Sequence, residues 1–362
     1  MRSPRLPPRA SVVGAGSFGT AVALLLVRAG VRTTLLCRTA GQAERLLADR
    51  ENARYLPGVD LPERLKVRVL GAHGEQFHRS DLVFLAVPSR GIGEALAELE
   101  RQGVSGRAGI VSLAKGLVPP EGTPPTLALE EAFGELRVAC IGGPAHAREM
   151  VEHGAGLVCA SHSETLAERV SAVFQRAGVV CEASSDPVGV ELAGCAKNAA
   201  ALAAGATEKL GLNAAGMAAA DIFLEVLALA EHWGGRPRTF VGRAGTGDLV
   251  ATALAPASRN RSAGELLATG VPAADIPERL GQAVEALETV PQLAAAVRSA
   301  GVEAPVLGAL AGLIDGSLPI EDWVALVRTQ QPRPERRHNR LAAWWRRLKA
   351  RLRRRPSKLA RR

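Results

Sequence analysis

A single lysine, Lys197, interrupts a long run of small and apolar residues from Val188 to Ala206. The run predicts one helix whose small side chains let neighbouring backbones come close, as in a domain core. An ammonium in such surroundings loses solvation, which lowers its pKa into a range where it can exchange protons with a substrate. The sequence therefore predicts an acid or base at Lys197. The alternative is a lysine at the wet edge of the helix, with its head group in water.

A glycine pattern near the start of the chain could hold a dinucleotide. A β-branched strand runs into Gly14-Ala15-Gly16-Ser17-Phe18-Gly19, and an apolar helix is predicted from Thr20 to Ala29. The first glycine makes a tight turn, the second lets the backbone approach a pyrophosphate, and the third permits close packing of helix and strand. We therefore expect a dinucleotide site here rather than a surface turn.

The residue after the second predicted strand, Thr33 to Cys37, indicates which dinucleotide binds. NAD sites usually carry an acid there for the ribose 2′-hydroxyl, whereas NADP sites carry a base for the 2′-phosphate. This chain has Arg38 at that place and no acid until Glu44. The sequence favours NADPH and leaves NADH open. The alternative is that Arg38 only points into solvent.

Two polar stretches in the second half could contact a substrate. The stretch from Arg243 to Leu249 predicts a glycine-rich turn that presents the Asp248 carboxylate. The stretch 256–261 precedes a short predicted helix, 262–269, and free backbone N–H groups beside Arg259 make a natural phosphate site. The alternative for Arg259 is an ordinary surface ion pair.

Predicted strands alternate with helical stretches through the first half of the chain. This alternation is typical of an α/β, doubly wound sheet with its ligand crevice at the carboxyl ends of the strands. After the first two strands, the candidates are 65–69, 82–87, 108–113, 138–141, 156–160 and 179–181. Beyond residue 184 strands almost disappear. We predict a basic, proline-rich N-terminus (1–9), a Rossmann-type dinucleotide-binding domain (10–186), an all-helical substrate domain (187–332) and a basic tail (333–362).

Composition excludes several classes of protein. With 47% hydrophobic and 22% charged residues among 362, the chain is globular and long enough for two cores. Five widely spaced cysteines indicate reduced thiols in a cytosol rather than a disulfide framework or a zinc site. We expect a cytoplasmic protein with no metal, no signal peptide and no membrane-spanning segment.

The net charge of +9 comes from the tail. From Arg333 onward there are fourteen basic residues and one acid, whereas the rest of the chain has 31 basic and 35 acidic residues. A nucleic-acid-binding surface on the folded part is therefore not expected. The apolar residues of the tail recur at helical spacing among arginines, which predicts a basic amphipathic helix suited to an anionic membrane surface. They are Leu341, Trp344, Trp345, Leu348 and Leu352. A solvated tail, nonspecific polyanion binding and a partner-docking helix are the alternatives.

The ordered set of motifs is more specific than any one of them. In chain order they are Gly14 to Gly19, Asn52 through Tyr55-Leu56-Pro57-Gly58, Val87-Pro88-Ser89, Lys115-Gly116, Gly143-Pro144, Gly189-Val190-Glu191-Leu192, Lys197-Asn198, Gly247-Asp248-Leu249 and Ser258-Arg259-Asn260-Arg261. From about Ala10 to Arg328 the chain resembles bacterial NAD(P)-dependent glycerol-3-phosphate dehydrogenases. The resemblance implies reversible reduction of dihydroxyacetone phosphate to sn-glycerol 3-phosphate with NADPH, which feeds phospholipid synthesis.

The resemblance also implies roles for the matching residues. Lys197 is implied as the general acid/base, with Lys115 and Asp248 as catalytic residues that polarise the substrate oxygen, bind substrate and orient the lysine. A nearby cation would help to keep the pKa of Lys197 low. The further substrate-binding residues implied are Gly143, Asn198, Thr252, Ser258, Arg259 and Asn260. The cofactor-binding residues implied are Gly14, Gly16, Ser17, Phe18, Gly19, Arg38, Lys115, Ala147, Arg259 and Glu285.

Several positions depart from the pattern of that family. Ala145 and His146 stand where the family usually has Ser or Thr and then Phe, so one hydroxyl contact to the substrate is lost. His146 either supplies a proton or hydrogen bond instead or is a packed histidine. The other departures are 253–255, which replaces a more polar run, and 221–225, where the family commonly carries a Thr-Arg-Gly pattern.

Two other functions remain open from the sequence. A β-hydroxyacid dehydrogenase or ketopantoate-type reductase also joins a Rossmann domain to a helical one with a catalytic lysine. Such an enzyme binds a carboxylate and usually separates its Lys and Asn by a helical turn. A non-enzymatic, nucleotide-sensing membrane adaptor would be expected to have lost Lys197 or Asp248, and both are present. The oligomeric state is also open, and a homodimer is among the alternatives.

Overall fold

The main sheet has eight strands, and all eight were predicted from the sequence. The computed structural model describes residues 9–72, 77–255 and 258–329. The strands are β1 (Arg9–Val13), β2 (Arg32–Cys37), β3 (Glu51–Asn52), β4 (Leu56–Asp60), β5 (Lys66–Val69), β6 (Leu82–Leu85), β7 (Gly109–Ser112), β8 (Val138–Gly142), β9 (Gly156–Ala160) and β10 (Val180–Ser184). Their order in the sheet is β10-β9-β8-β7-β6-β1-β2-β5. Only β8 and β9 pair antiparallel in this sheet, and the sequence analysis did not anticipate that step or the separate β3–β4 hairpin.

Both faces of the sheet are buried, because successive side chains point to opposite faces and each face is covered by helices. Val12 and Phe84 belong to the core on one face, and their neighbours Val13 and Leu85 belong to the core on the other. The covering helices are α1 (Ser17–Arg28), α2 (Ala40–Asp49), α3 (Ile92–Gln102), α4 (Pro125–Phe133), α5 (Ala147–Glu152) and α6 (Glu164–Arg176). The predicted doubly wound Rossmann-type fold is confirmed.

The second half is helical, as predicted, with no strand between 187 and 255 or between 258 and 329. Its helices are α7 (Pro187–Thr207), α8 (Leu212–His232), α9 (Pro237–Val241), α10 (Asp248–Leu254), α11 (Arg259–Leu267), α12 (Ile276–Arg279), α13 (Glu285–Ser299), α14 (Pro305–Asp315) and α15 (Ile320–Thr329). Contacts gather the described residues through Arg328 into one compact unit. The boundary between 186 and 187 stays a prediction.

The long apolar run forms helix α7, which is buried along almost its whole length. Asp186 caps its first turn by accepting a hydrogen bond from the Gly189 N–H at 2.9 Å, and Pro187 occupies the first position. Its small residues allow a close helix crossing. A Cβ on Gly205 would lie 2.0 Å from the Arg261 carbonyl oxygen, so only glycine lets α11 approach α7 this closely.

Helix α8 is long and apolar enough, by length and composition, to cross a membrane. Its side chains Ile222, Val226 and Leu229 are fully buried in the core of the helical half, where the helix packs against α7. A core helix passes the same test of length and apolarity. All five cysteines are free and buried. The predicted N-terminal segment up to residue 8 and the predicted tail 333–362 lie outside the described residues.

Candidate active site

One buried carboxylate, Asp248, lies between two lysines. Lys115 Nζ donates a hydrogen bond to Asp248 Oδ2 at 2.7 Å and another to the Gly143 carbonyl oxygen at 3.2 Å. Lys197 Nζ lies 3.8 Å from the other carboxylate oxygen, Oδ1. The side chain of Asp248 is 3% exposed, so this carboxylate is held in place mainly by the two ammonium groups. The three residues predicted to carry the chemistry are brought together.

Lys197 does not lie at a wet edge of the helix, since its side chain is only 12% exposed. Its Nζ donates a hydrogen bond to Thr252 Oγ1 at 3.3 Å. Burial lowers the pKa of Lys197, and the neighbouring charge of Lys115 lowers it further, whereas Asp248 opposes both effects. A buried ammonium with a lowered pKa releases its proton more readily than a lysine in water.

The segment before Asp248 is more ordered than the predicted glycine-rich turn. Residues Arg243–Gly247 form a π-helical turn, and Asp248 follows as the first residue of α10. Single π-helical turns inside helical segments are frequent at functional sites. Because Asp248 and Thr252 lie four residues apart on α10, both project toward Lys197.

Asn198, next to Lys197, belongs to a network of amide side chains. Its Nδ2 group donates to the Lys115 carbonyl oxygen at 3.2 Å and to Glu285 Oε2 at 3.1 Å. Its Oδ1 accepts from Asn260 Nδ2 at 2.8 Å, and Asn260 Oδ1 in turn accepts from the Ala286 N–H. Asn198 is 1% exposed, and its Nδ2 group donates both of its hydrogen bonds to protein atoms. These contacts join α7, α11, α13 and the Lys115 backbone, and the predicted hydrogen bond between Asn198 and substrate stays a prediction.

The predicted phosphate site lies at the start of α11, which begins at Arg259 rather than at residue 262 as expected. Ser258 is the N-cap, and its Oγ accepts a hydrogen bond from the Arg261 N–H at 3.4 Å. Arg259 is exposed, and its Nη1 donates to the Ala283 carbonyl oxygen at 3.1 Å. Arg259 lies close enough to Lys197 for its charge to lower that pKa as well. The surface ion pair considered for Arg259 is not among the contacts of the described residues.

The glycine loop joins β1 to α1 as predicted. Gly14 has φ +106°, and a Cβ there would lie 2.5 Å from the Ala86 carbonyl oxygen, so this turn requires glycine. Around Gly16, in contrast, a Cβ would meet no protein atom within 4 Å. Gly16 is thus not required by packing inside the protein. Open backbone beside the N-terminus of α1 fits a pyrophosphate, which bound NADPH or NADH would place there.

Two amide side chains that were given no role from the sequence hold this loop. The Ala15 carbonyl oxygen accepts hydrogen bonds from Gln42 Nε2 at 3.0 Å and from Asn52 Nδ2 at 3.1 Å. Asn52 also donates to Thr20 Oγ1 at 2.7 Å and is 3% exposed. The sequence signal that could have indicated this role for Asn52 is its position at the start of the motif that ends in Pro57-Gly58.

The remaining predicted cofactor residues lie at the same edge of the sheet. Arg38 is exposed and directly follows β2, and the Gly14 N–H donates to the Leu36 carbonyl oxygen at 2.9 Å, so the glycine loop and the end of β2 are adjacent. Ala147 is the first residue of α5, which packs against α1. His146 is exposed at the N-cap of α5, so it is not the packed histidine considered from the sequence.

The arrangement can bind an anion and transfer a proton. Strands β1, β6 and β7 are neighbours in the sheet, and their carboxyl ends carry the glycine loop, Val87-Pro88-Ser89 and Lys115. The charges of Lys115 and Arg259 both act on Lys197, and with two neighbouring carboxylates, Asp248 and Glu285, the three cations leave net positive charge for an anionic substrate. No cluster of metal-ligating side chains occurs in the described parts of the chain.

Comparisons with known proteins show which sequences and folds this chain is similar to. Residues 9–167 match the profile described as NAD-dependent glycerol-3-phosphate dehydrogenase N-terminus, and residues 186–325 match the C-terminus of the same family. Similar curated proteins include the glycerol-3-phosphate dehydrogenases [NAD(P)+] of Chlorobium limicola, 35% identical over 90% of this chain and 98% of the relative, and of Thermus thermophilus, 38% identical over 90% and 100%. A solved glycerol-3-phosphate dehydrogenase from Coxiella burnetii superposes with a TM-score of 0.82 at 28% identity, covering 89% of this chain and 99% of that one.

Proposed function

The chain belongs to the NAD-dependent glycerol-3-phosphate dehydrogenase family, and we propose that Lys197, Lys115 and Asp248 form its proton-transfer centre. It is an NAD(P)-dependent oxidoreductase that reduces dihydroxyacetone phosphate to sn-glycerol 3-phosphate and catalyses the reverse reaction. The carboxylate-reducing and non-enzymatic alternatives are not favoured. The observation that carries the proposal is the pair of lysines on the two oxygens of one buried carboxylate.

Lys197 is the general acid in the direction of reduction. Bound NADPH supplies the hydride to the carbonyl carbon. As charge develops on the carbonyl oxygen, the proton on Lys197 Nζ passes to that oxygen, and in the reverse direction the neutral amine takes it back. The lowered pKa of Lys197 favours the first transfer, because a buried ammonium is a stronger acid than a solvated one.

Asp248 and Lys115 orient Lys197 and set its acidity. Asp248 stabilises the ammonium form of Lys197 through Oδ1, while its Oδ2 is held by Lys115. Lys115 adds a positive charge beside the oxygen that becomes negative in the transition state. Thr252 Oγ1 accepts a hydrogen bond from Lys197 Nζ and so helps to orient the Lys197 head group. Together these contacts hold Nζ in one place before substrate binds.

The phosphate of the substrate binds at the start of α11. Arg259 offers a guanidinium, which suits the bidentate geometry of a phosphate, and the backbone N–H of Asn260 lies in the first turn of the helix. Ser258 and Thr252 are auxiliary hydroxyl donors. Asn198 positions Lys115, Asn260 and Glu285 through its hydrogen bonds and stays a predicted contact of the substrate.

The cofactor binds on the glycine loop, with NADPH preferred over NADH. Arg38 is exposed directly after β2, where the 2′-phosphate of NADPH would lie in a Rossmann-type site. Glu285 and Ala147 contact the cofactor. We expect the protein to act in the cytoplasm and its product to feed glycerophospholipid synthesis.

The test is NADPH oxidation by the purified chain with three substrates. Dihydroxyacetone phosphate is expected to be turned over, whereas ketopantoate and a short β-keto acid are not. Turnover of the carboxylates alone would contradict the proposal, because the phosphate site at Arg259 would then have no role.

The basic tail gives the enzyme a peripheral contact with anionic membrane. Support comes from the sequence of 333–362, in which tryptophans and leucines recur at helical spacing among arginines. Sedimentation with liposomes of anionic lipid, with and without residues 333–362, tests this proposal. Equal pelleting of the two proteins would contradict it.

The enzyme acts as a homodimer. Support comes from apolar side chains that α8 leaves in solvent, among them Met217, which is 47% exposed, and Leu224, which is 61% exposed. They lie seven residues apart and therefore on one face of the helix. Analytical ultracentrifugation is expected to give twice the chain mass, and Leu224→Lys is expected to halve it. A monomeric parent protein would contradict the proposal.

A further inference from the structure

Helix α7 presents two polar side chains on one face, two turns apart. Glu191 and Asn198 are separated by seven residues, which places them on the same side of the helix and about 10.5 Å apart along its axis. Both are buried, at 3% and 1% exposure. Both contact the same stretch of chain in the other half of the protein, residues 115–126, and Asn198 holds its first residue through the Lys115 carbonyl oxygen.

Glu191 holds the other end of that stretch. Its carboxylate accepts hydrogen bonds from the Thr126 N–H at 3.0 and 3.2 Å and from Thr126 Oγ1 at 2.6 Å. Thr126 lies in the first turn of α4, whose N-cap, Pro124, offers no side-chain acceptor. A helix N-terminus needs acceptors for its free N–H groups. Glu191 supplies one of them from a different helix.

The stretch between these two ends lies against α7. Gly194 is on the same face as Glu191 and Asn198, and a Cβ built on it would lie 3.6 Å from Lys115 Cβ and Cγ, so the stem of Lys115 lies within van der Waals reach of α7 at this glycine. Leu117, two residues further on, is fully buried in the core of the helical half. The loop that follows β7 is therefore packed into the half of the protein that carries Lys197.

We propose that Glu191 is a positioning residue of the active site, which with Asn198 fastens both ends of residues 115–126 to α7 and so fixes Lys115 relative to Lys197 and Asp248. This inference rests on the proposed roles of those three residues. Without the Glu191 cap the N-terminus of α4 loses this acceptor, and of the hydrogen bonds described between α7 and the ends of residues 115–126 only the one at Lys115 remains. The 2.7 Å hydrogen bond between Lys115 and Asp248 then lengthens, and with it the alignment of Lys197 is lost.

The kinetic test compares Glu191→Ala with a matched control, Glu225→Ala. Glu225 is also a buried carboxylate that caps another helix, since it accepts from the Val306 and Leu307 N–H groups at the start of α14. Both variants are expected to lower the Tm. Only Glu191→Ala is expected to lower kcat for dihydroxyacetone phosphate, by about 10- to 100-fold, because small misplacements of reacting groups cost that much. Its Kd for NADPH is expected to change much less than kcat, because the glycine loop that holds the pyrophosphate is unchanged even though Lys115 moves.

Two milder variants cover the case in which Glu191→Ala does not fold. Glu191→Gln keeps an oxygen that can accept from the Thr126 N–H and is expected to restore most of kcat. Thr126→Val removes only the hydroxyl donor at 2.6 Å and is expected to lower kcat by about threefold, in line with one lost hydrogen bond.

The pKa of Lys197 is a readout that needs no substrate. Lys115 lowers this pKa through its charge and Asp248 raises it. If Lys115 moves away, Lys197 loses the positive charge that lowers its pKa. Asp248 then pairs with Lys197 alone, which also favours the ammonium form. Both changes raise the pKa of Lys197. Acetic anhydride labelling of Lys197 across pH, measured by mass spectrometry, is expected to show the rise in Glu191→Ala but not in Glu225→Ala.

These readouts separate two failures. A parent protein that does not reduce dihydroxyacetone phosphate would refute the proposed function, while the labelling experiment would still decide the role of Glu191. An unchanged kcat and an unchanged labelling profile in Glu191→Ala would overturn the inference and leave the proposed function intact. Equal loss of kcat in Glu225→Ala would also overturn it, because the effect would then be general destabilisation.

Discussion

Lys115 and Asp248 lie 133 positions apart in the chain, yet Lys115 Nζ donates to Asp248 Oδ2 at 2.7 Å. The lysine follows a strand of the nucleotide-binding half, and the aspartate begins a helix of the other half. Their contact brings a charge from each half to Lys197. The active centre is therefore a property of the packed halves rather than of either one.

Asp248→Asn is expected to lower kcat by about 100-fold, because it removes the carboxylate that holds both lysines. Asp248 raises the pKa of Lys197, so its loss lowers that pKa, and the basic limb of the pH profile for reduction moves to lower pH. Steady-state kinetics from pH 5.5 to 9.5 measure both effects. Asp49→Asn, at an exposed position in α2, is the control, and an unshifted basic limb in Asp248→Asn would speak against the assignment.

Arg259→Ala is expected to raise the KM for dihydroxyacetone phosphate by about 10- to 100-fold, the range for a lost hydrogen bond to a charged group. Activity with unphosphorylated dihydroxyacetone is expected to change little, since that substrate has nothing for Arg259 to bind. Arg261→Ala is the control, because Arg261 is paired with Glu208 and Glu265. Parallel losses with both substrates in Arg259→Ala would mean that Arg259 does not act on the phosphate.

Arg38→Ser is expected to shift the ratio of kcat/KM for NADPH over NADH toward NADH by about 10-fold, because a charged partner of the 2′-phosphate is lost. Kinetics with the two cofactors at fixed substrate measure this ratio. Arg32→Ser, exposed at the other end of β2, is expected to leave it unchanged. If the two variants behave alike, the preference is set elsewhere.

Asn52→Ala is expected to weaken NADPH binding by about 10-fold, since two buried hydrogen bonds to the glycine loop and its helix are lost. Fluorescence titration of NADPH gives the Kd directly. Asn213→Ala, at an exposed position on α8, serves as control. A normal Kd in Asn52→Ala would show that the loop keeps its shape without this amide.

Glu191 makes the stability of the protein depend on pH. Burial raises its pKa from 4.5 to about 8, although the hydrogen bonds from Thr126 oppose the rise. The folded protein therefore binds this proton more tightly than the unfolded chain does. Its contribution to the free energy of unfolding is fully present below about pH 4.5 and is lost as the pH rises through about 8.

Urea unfolding at pH 5.5 and pH 8.5 tests this dependence. The parent protein is expected to lose more stability between the two pH values than Glu191→Gln, which has no carboxyl proton to lose. Equal losses in the two proteins would show that Glu191 does not titrate in this range.

Periodicity and turn chemistry were sufficient to predict the strands of the main sheet. Strands such as β1, β6 and β8 are short apolar runs followed closely by glycine or proline, which is the signal of a buried strand. The hairpin at Leu56–Asp60 escaped prediction because its exposed residues follow no clear alternation. The antiparallel pairing of β8 and β9 depends on the path of the segment that connects the two strands. The local sequence of a strand does not encode that direction.

The site was only partly predictable. Lys197 and Asp248 stand out because each is a charge among small or glycine-rich neighbours. The roles of Asn198 and Asn52 could not be read in the same way, since an amide binds a ligand or another part of the protein with equal chemistry. The structure shows which partners each amide has, and both side chains donate their N–H groups to other atoms of the protein.

The role of Lys197 is tested by the Lys197→Ala variant with its NADPH affinity measured alongside its turnover. We expect a folded protein that binds NADPH within about twofold of the parent while kcat for dihydroxyacetone phosphate falls by about 1,000-fold or more, the range for loss of a general acid in a preorganised site. A variant that keeps kcat within about tenfold of the parent would show that the proton comes from another group and that Lys197 is not the general acid.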